Sequence, residues 1–142
     1  MNIEITSNPK EEDLKVLSDG IKRYNQEYLP DQVVFEEDTK FAVFAKDDNG
    51  TVLGGIRACG YWNYCLLELL WLSEKTRRSG VGSKLVEAFE EFAALKGFNY
   101  IRTETVSFQA RPFYEKLGYT VYGELPDFPK GHTTYCLFKE LT

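Results

Sequence analysis

The chain opens with a two-residue hydrophobic period and then changes to a helical one. Ile3 and Ile5 alternate with polar residues over 1–6, which predicts a short half-buried strand. Apolar residues next recur at helical spacing after Pro9, which we place in the first turn of a helix that ends within 24–30. The apolar side of this helix should face the core, and it consists of Leu14, Leu17, Ile21 and Tyr24.

Three strands follow, at 41–45, 51–61 and 64–72, and short turns link them into an antiparallel half-sheet. Asn49-Gly50 predicts a type I′ turn in the first connection. Gly54-Gly55 predicts either a bulge or a close approach of another backbone. The segment 64–72 is nearly all apolar, so we expect a central strand that is buried on both faces.

The second half of the chain alternates helices and strands. A helix over 81–96 ends at Gly97, and a strand over 98–106 follows, so the crossover connects parallel strands. A short helix at 110–117 precedes final strands at 119–125 and 133–140. The chain is therefore α/β, with a mixed sheet and helices on both of its faces. The buried side of the longer helix should consist of Val81, Leu85, Ala88, Phe89, Phe92 and Leu95.

Composition narrows the class of protein. The chain has 142 residues, of which 43% are hydrophobic, and we expect a single domain over 1–142. A net charge of −5 disfavours nucleic acid as a partner and mildly favours a basic acceptor such as an amine. Three cysteines without a paired motif, no signal peptide and no apolar run of about 20 residues predict a cytoplasmic protein without a membrane span.

The loop after the third strand has the features of an anion site. Arg77-x-x-Gly80-x-Gly82 precedes a helix, whose first N–H groups lack partners and carry partial positive charge. Glycine lets a phosphate approach the backbone, and arginine adds a matching fork of donors. Leu85 replaces the third glycine of a dinucleotide fingerprint, and Gly82-Ser83-Lys84 has the wrong order for a mononucleotide loop. The loop predicts a ligand that contains a pyrophosphate.

This loop resembles the acyl-CoA-binding loop of the GNAT superfamily of N-acetyltransferases, Gln/Arg-x-x-Gly-x-Gly/Ala. A second landmark of that family is an Asn followed by Ala three residues later and by Tyr within Phe-Tyr-x-Lys-x-Gly-Phe/Tyr. Here Ala110, Tyr114, Lys116 and Gly118 fit that landmark, and Ser107 stands where Asn is usual. The resemblance covers roughly residues 40 to 140.

The resemblance implies a GNAT-like fold with a mostly antiparallel sheet in which the strands at 64–72 and 99–106 splay apart to admit acetyl-CoA. The segment from Tyr24 onward would line the acceptor side. The residues implied for cofactor binding are Leu70, Trp71 and Leu72 through their backbone, Arg77, Arg78, Ser79, Gly80, Val81, Gly82 and Ser83 at the pyrophosphate, and Ser107 and Tyr114.

Acetyl transfer to an amine also needs proton transfers. The resemblance places Tyr114 as proton donor to the thiolate. Glu68 is a candidate base because burying a carboxylate in an apolar strand is costly unless it is paired or protonated. Its alternatives are a salt bridge or an outward position, and a bulge would decide its face. Glu104 and His132 are further candidates, and ordered water could replace a dedicated base.

Other functions compete with the enzyme. One alternative is a non-catalytic acyl-CoA sensor with the same fold, and another is a nucleotide-binding protein that uses the same helix start. The acceptor, a small-molecule or peptide amine, stays open, as does dimerisation. No zinc ligand set and no Gly-x-Ser-x-Gly elbow is present, so we expect neither a metal nor a hydrolase.

Overall fold

The computed structural model describes residues 1–29 and 39–142. The chain divides into two compact units, Met1–Glu36 and Glu37–Thr142. The first unit contains helix α1, Glu11–Gln26, which begins after Lys10 and carries three acidic residues in its first turn. Pro9 thus precedes the helix instead of lying in its first turn. The sequence predicts that this helix ends within 24–30, and Pro30 of that range lies outside the described residues.

Two predictions for the first unit are wrong. Residues 1–6 form no strand, since no described strand pairs with them. The apolar side of α1 is exposed, and none of its residues is buried. The unit has no second described element against which a single helix could bury an apolar stripe. The exposed fractions are 46% for Leu14, 70% for Leu17, 55% for Ile21 and 57% for Tyr24.

The second unit contains a six-stranded sheet and two helices. The strand order is β1-β2-β3-β4-β6-β5, with β3 and β4 parallel and all other neighbours antiparallel. The predicted mixed, mostly antiparallel sheet is confirmed. The elements are β1 Thr39–Lys46, β2 Val52–Tyr61, β3 Tyr64–Leu72, a 3₁₀ turn Glu74–Thr76, α2 Val81–Leu95, β4 Tyr100–Val106, α3 Arg111–Lys116, β5 Thr120–Pro126 and β6 Thr133–Glu140.

One core joins α2 and α3 to a single face of the sheet. Phe89 of α2 is fully buried against residues that alternate inward along the strands, such as Leu67, Ile101 and Leu137. The buried side of α2 differs from the predicted one, because Ala88, Phe92 and Leu95 are exposed. The helix is rotated so that its buried residues are Gly82, Leu85, Val86, Phe89 and Ala93.

The β1–β2 connection is a hairpin of another type than predicted. Of Asn49 and Gly50, only Gly50 has a positive φ, at 83°, whereas a type I′ turn needs two such residues. The Gly50 N–H donates to the Asp47 carbonyl at 3.0 Å. The Asp47 carboxylate accepts the N–H groups of Asn49 and Thr51, both at 2.9 Å, and this fixes the longer loop.

The glycine pair in β2 marks a close backbone approach. A Cβ on Gly54 would lie 2.7 Å from the Trp71 carbonyl oxygen, and one on Gly55 would lie 2.6 Å from the Val43 carbonyl oxygen. Both distances are too short for any side chain, which confirms that interpretation. The other alternative, a bulge, is present next to the glycine pair, because the register between β1 and β2 passes from Gly54 to Val52 and leaves Leu53 as the extra residue. A further bulge, at Glu68 of β3, shapes the candidate site.

Candidate active site

Strands β3 and β4 pair over only part of their length. The register runs from Tyr64 opposite Tyr100 to Leu67 opposite Thr103, and no further pair joins the two strands. Beyond Leu67, β3 continues to Leu72 with β2 on one side only. The two parallel strands therefore leave a cleft between their carboxyl ends, where a ligand can pair with the free edge of β3.

A β-bulge in β3 sits at the start of this cleft. Ala58 of β2 pairs with Leu67 and Arg57 pairs with Leu69, so Glu68 is the extra residue. The bulge reverses which side chains face the core. Leu69 and Trp71 are 43% and 52% exposed, so the prediction that β3 is buried on both faces is wrong at its carboxyl end. The backbone of Leu70–Leu72 keeps its free edge toward the cleft.

The predicted anion loop lies directly after β3. Arg77 through Gly80 are exposed, and the Arg77 Nε donates to the Leu72 carbonyl at 3.2 Å. The Ser79 hydroxyl donates to the Thr76 carbonyl. Gly80 and Arg78 both adopt positive φ, at 83° and 63°, which turns the chain sharply into α2. The other residues proposed for this loop, Val81, Gly82 and Ser83, form the first turn of α2, which contains no acidic residue.

Gly82 explains why the helix begins so close to the cleft. A Cβ at this position would lie 3.3 Å from the Phe113 ring and 3.4 Å from Leu72 Cδ1. The missing side chain lets the first turn of α2 pack tightly on the end of β3. Along one path, the free edge of β3 is thus followed by two arginines and then by the backbone donors at the start of α2. A long ligand that contains a pyrophosphate requires such an arrangement.

Tyr114 occupies the buried side of the sheet at the point where the strands part. It is only 4% exposed, and burial raises its pKa to about 12, while a hydrogen bond with the Thr103 side chain acts in the opposite direction. The Thr103 hydroxyl also donates to the Leu67 carbonyl at 2.9 Å. Tyr114 is therefore linked through Thr103 to Leu67, and these two residues form the last pair between β3 and β4.

Thr103 was not among the residues proposed from the sequence. The sequence feature that could have identified Thr103 is a polar side chain at an inward position of β4, between the inward-facing Ile101 and Thr105. Thr105 is likewise buried and accepts the Ala110 N–H at 3.1 Å, which anchors the connection to α3. Buried hydroxyls on one strand thus organise both the cleft floor and the element that carries Tyr114.

Glu68 lies on the opposite face and is an ion-paired surface group. Its carboxylate accepts a hydrogen bond from the Arg57 Nε at 2.8 Å. A hydrogen bond from the Cys59 thiol, followed by the one from Arg57, lowers the pKa of Glu68. Glu68 is therefore ionised at neutral pH. The structure therefore contains both alternatives to a buried base, namely a salt bridge and an outward position of Glu68. Glu104 is exposed on the neighbouring strand.

His132 and Ser107 come together at the end of β4. The Ser107 hydroxyl and His132 Nδ1 are 3.3 Å apart, and the Phe108 ring packs edge-on against the imidazole with ring centroids 4.8 Å apart. The Ser107 N–H donates to the Thr133 carbonyl at 2.8 Å, which ties the histidine loop to this strand end. Both residues were predicted separately from the sequence, and the structure adds that they lie next to each other. Both side chains are exposed.

The other expectations concern metals and membranes. Within residues 1–29 and 39–142, no group of three potential ligands could hold a metal ion. No helix in those ranges is long and apolar enough to span a membrane.

The three catalytic candidates are split between the two faces of the sheet and its end: Tyr114 on the buried face, Glu68 on the exposed face and His132 at the strand ends.

Known proteins are similar to this chain in sequence and in fold. The model of the acetyltransferase (GNAT) family matches residues 7–119. A blasticidin-S acetyltransferase from Streptomyces morookaense is 34% identical over 106 residues, which cover 71% of this chain and 75% of that protein. An acetyltransferase structure from Bacillus cereus ATCC 14579 is 30% identical, with a TM-score of 0.85 over 97% of this chain and 98% of the other.

A further solved structure shares the fold at lower identity. An aminoglycoside 6′-N-acetyltransferase in complex with coenzyme A is 21% identical, with a TM-score of 0.66 over 100% of this chain and 98% of the other. The family match, the relatives and the cleft geometry agree with one another. The chain therefore belongs to the GNAT family and is an acyl-CoA-dependent acetyltransferase.

Proposed function

We propose that the protein transfers the acetyl group of acetyl-CoA directly to a primary amine of a small-molecule acceptor within a ternary complex. The observation that carries this proposal is the cleft between β3 and β4, which continues into the anion loop before α2. The names of two similar proteins support a small-molecule acceptor, since one acetylates blasticidin S and the other an aminoglycoside.

The residues would hold acetyl-CoA along the whole path. Arg77 and Arg78 would bind the pyrophosphate together with the backbone N–H groups of Gly80–Ser83. The pantetheine arm would pair with the backbone of Leu70–Leu72 as an added strand. N–H groups of this free edge would then stabilise the negative charge that develops on the thioester oxygen. Ser107 would contact the cofactor from the end of β4.

The reaction balances without a covalent acyl-enzyme. The neutral amine attacks the thioester carbon, a C–N bond forms, and the C–S bond breaks. The departing CoA thiolate takes up the second proton of the attacking nitrogen, so the products are the amide and CoA thiol. Tyr114 would donate a hydrogen bond to this sulfur from the buried face. The acceptor arrives as an ammonium ion and must lose a proton. We assign that proton to His132, since imidazole is a common base, whereas the carboxylate of Glu68 is occupied by its ion pair with Arg57.

Steady-state kinetics test this function. With acetyl-CoA and a panel of primary amines, CoA thiol release should require both substrates, and initial-rate lines should intersect as in a ternary complex. Parallel lines would contradict direct transfer. His132→Gln should lower kcat more than Glu68→Gln does. Acetyl-CoA binding without turnover of any amine would instead favour the non-catalytic acyl-CoA sensor.

Four expectations from the sequence stay predictions: the cytoplasmic location, the single domain, dimerisation and the absence of nucleic-acid partners.

A further inference from the structure

A second cavity opens on the exposed face of the sheet, outside the acetyl-CoA path. Its volume is about 530 Å³, which lies within the range of small-molecule sites. The residues that line it come from four different strands: Tyr64, Arg102, Tyr122 and Phe138. The register explains their convergence, because Arg102 lies opposite both Leu66 of β3 and Phe138 of β6.

The cavity combines three aromatic rings with one guanidinium group. Tyr64 stacks on Tyr100 with ring centroids 4.7 Å apart, and Tyr122 packs edge-on against Phe138 at 5.9 Å. These contacts hold the rings as walls suited to a planar group. Arg102 forms no salt bridge within residues 1–29 and 39–142, whereas Arg57 and Arg111 each pair with a glutamate. A guanidinium that makes no salt bridge can bind a carboxylate in a bidentate geometry.

The cavity adjoins the mouth of the cleft. Arg102 is one residue before Thr103, the last residue of β4 that pairs with β3, and two residues before Glu104 on the same face. Since a strand rises about 3.3 Å per residue, Arg102 and Glu104 are separated by only ~7 Å. A small molecule anchored at Arg102 can therefore extend its other end to the cleft.

We infer that this cavity binds the non-reacting end of the acceptor, and that this end is a planar ring bearing a carboxylate. The ring fills the space among the three aromatic side chains, the carboxylate pairs with Arg102, and the amine extends toward the cleft. This inference rests on the proposed function, because it assigns the specificity of the same amine acceptor.

A matched pair of probes tests the inference. 4-(2-Aminoethyl)benzoate and 2-phenylethylamine share the ring and the amine, and only the first has a carboxylate. Their dissociation constants are measured by thermal unfolding with CoA present, for the wild type, Arg102→Gln and Lys46→Gln. Lys46 is a suitable control because it lies on β1, three strands from β4, and its substitution removes the same charge.

The wild type should bind the carboxylate probe at least about tenfold more tightly than its analogue, as expected for a charge-assisted pair. Arg102→Gln should abolish this preference, and Lys46→Gln should keep it. Absence of binding of the carboxylate probe, equal binding of both probes, or a preference that survives in Arg102→Gln would overturn the inference. Acetyl-CoA alone is measured in parallel, and a failure to stabilise the wild type would count against the proposed function itself.

Discussion

Replacing Tyr114 by Phe removes one buried hydroxyl at the point where β3 and β4 part. The pKa of Tyr114 is raised to about 12 by burial, whereas an ordinary thiol has a pKa of about 8.5. Complete proton transfer from the phenol to a thiolate would thus be uphill by about 3.5 pKa units, or about 4.8 kcal/mol. Tyr114 should therefore stabilise the departing thiolate by donating a hydrogen bond while it keeps its proton.

A hydrogen bond to a charged group contributes about 1.5–3 kcal/mol, so Tyr114→Phe should lower kcat by roughly 10- to 150-fold. The affinity for acetyl-CoA should change little, because the bond strengthens only as charge develops on sulfur. The assay is CoA release at saturating acetyl-CoA, with the dissociation constant measured separately by calorimetry. The alkaline limb of the rate profile should not report Tyr114 below about pH 11, since its pKa is raised to about 12.

Tyr119→Phe is a matched control. Tyr119 is 3% exposed, and its ring centroid lies 5.5 Å from that of Tyr114. Its hydroxyl has no hydrogen-bond partner among the described residues, so its loss should leave kcat unchanged and should not reduce stability. A Tyr114→Phe enzyme within twofold of wild-type kcat, or one that loses only cofactor affinity, would refute the reasoning.

Three further predictions follow from the site. Arg78→Ala should weaken acetyl-CoA binding about tenfold by calorimetry, while Lys75→Ala, an exposed charge one turn earlier, should not. Gly54→Ala should lower the free energy of urea unfolding by about 1–3 kcal/mol and weaken acetyl-CoA binding, since its Cβ meets the Trp71 carbonyl; Gly123→Ala has open space and serves as control. Glu68 has a lowered pKa, so its stabilisation is present above the ordinary value of 4.5 and lost as pH falls; Glu68→Gln should therefore lose less stability than the wild type between pH 6 and pH 3.

The sequence predicted the elements whose signals are local. The bounds of β3 follow from a nearly continuous apolar run that begins after a short turn, and the start of α2 follows from Gly80 and Gly82. The separation of β3 from β4 was implied by family resemblance alone. No local signal carries it, because it depends on where pairing between two distant segments stops.

The errors come from effects between segments. The bulge at Glu68 depends on the register against β2, and it is what exposes Leu69 and Trp71. Helical periodicity identified α1 but could not supply a surface against which to bury it. Likewise, the pairing of Ser107 with His132 joins residues 25 positions apart, which spacing cannot reveal.

Thermal unfolding with and without acetyl-CoA tests the central claim that the cleft and the anion loop form the cofactor site. A ligand that binds only the native state should add about 2.7 kcal/mol of stability at 100 times its dissociation constant. We expect a clear upward shift of Tm with acetyl-CoA and none with ATP. No shift at millimolar acetyl-CoA, or an equal shift with ATP, would contradict the account.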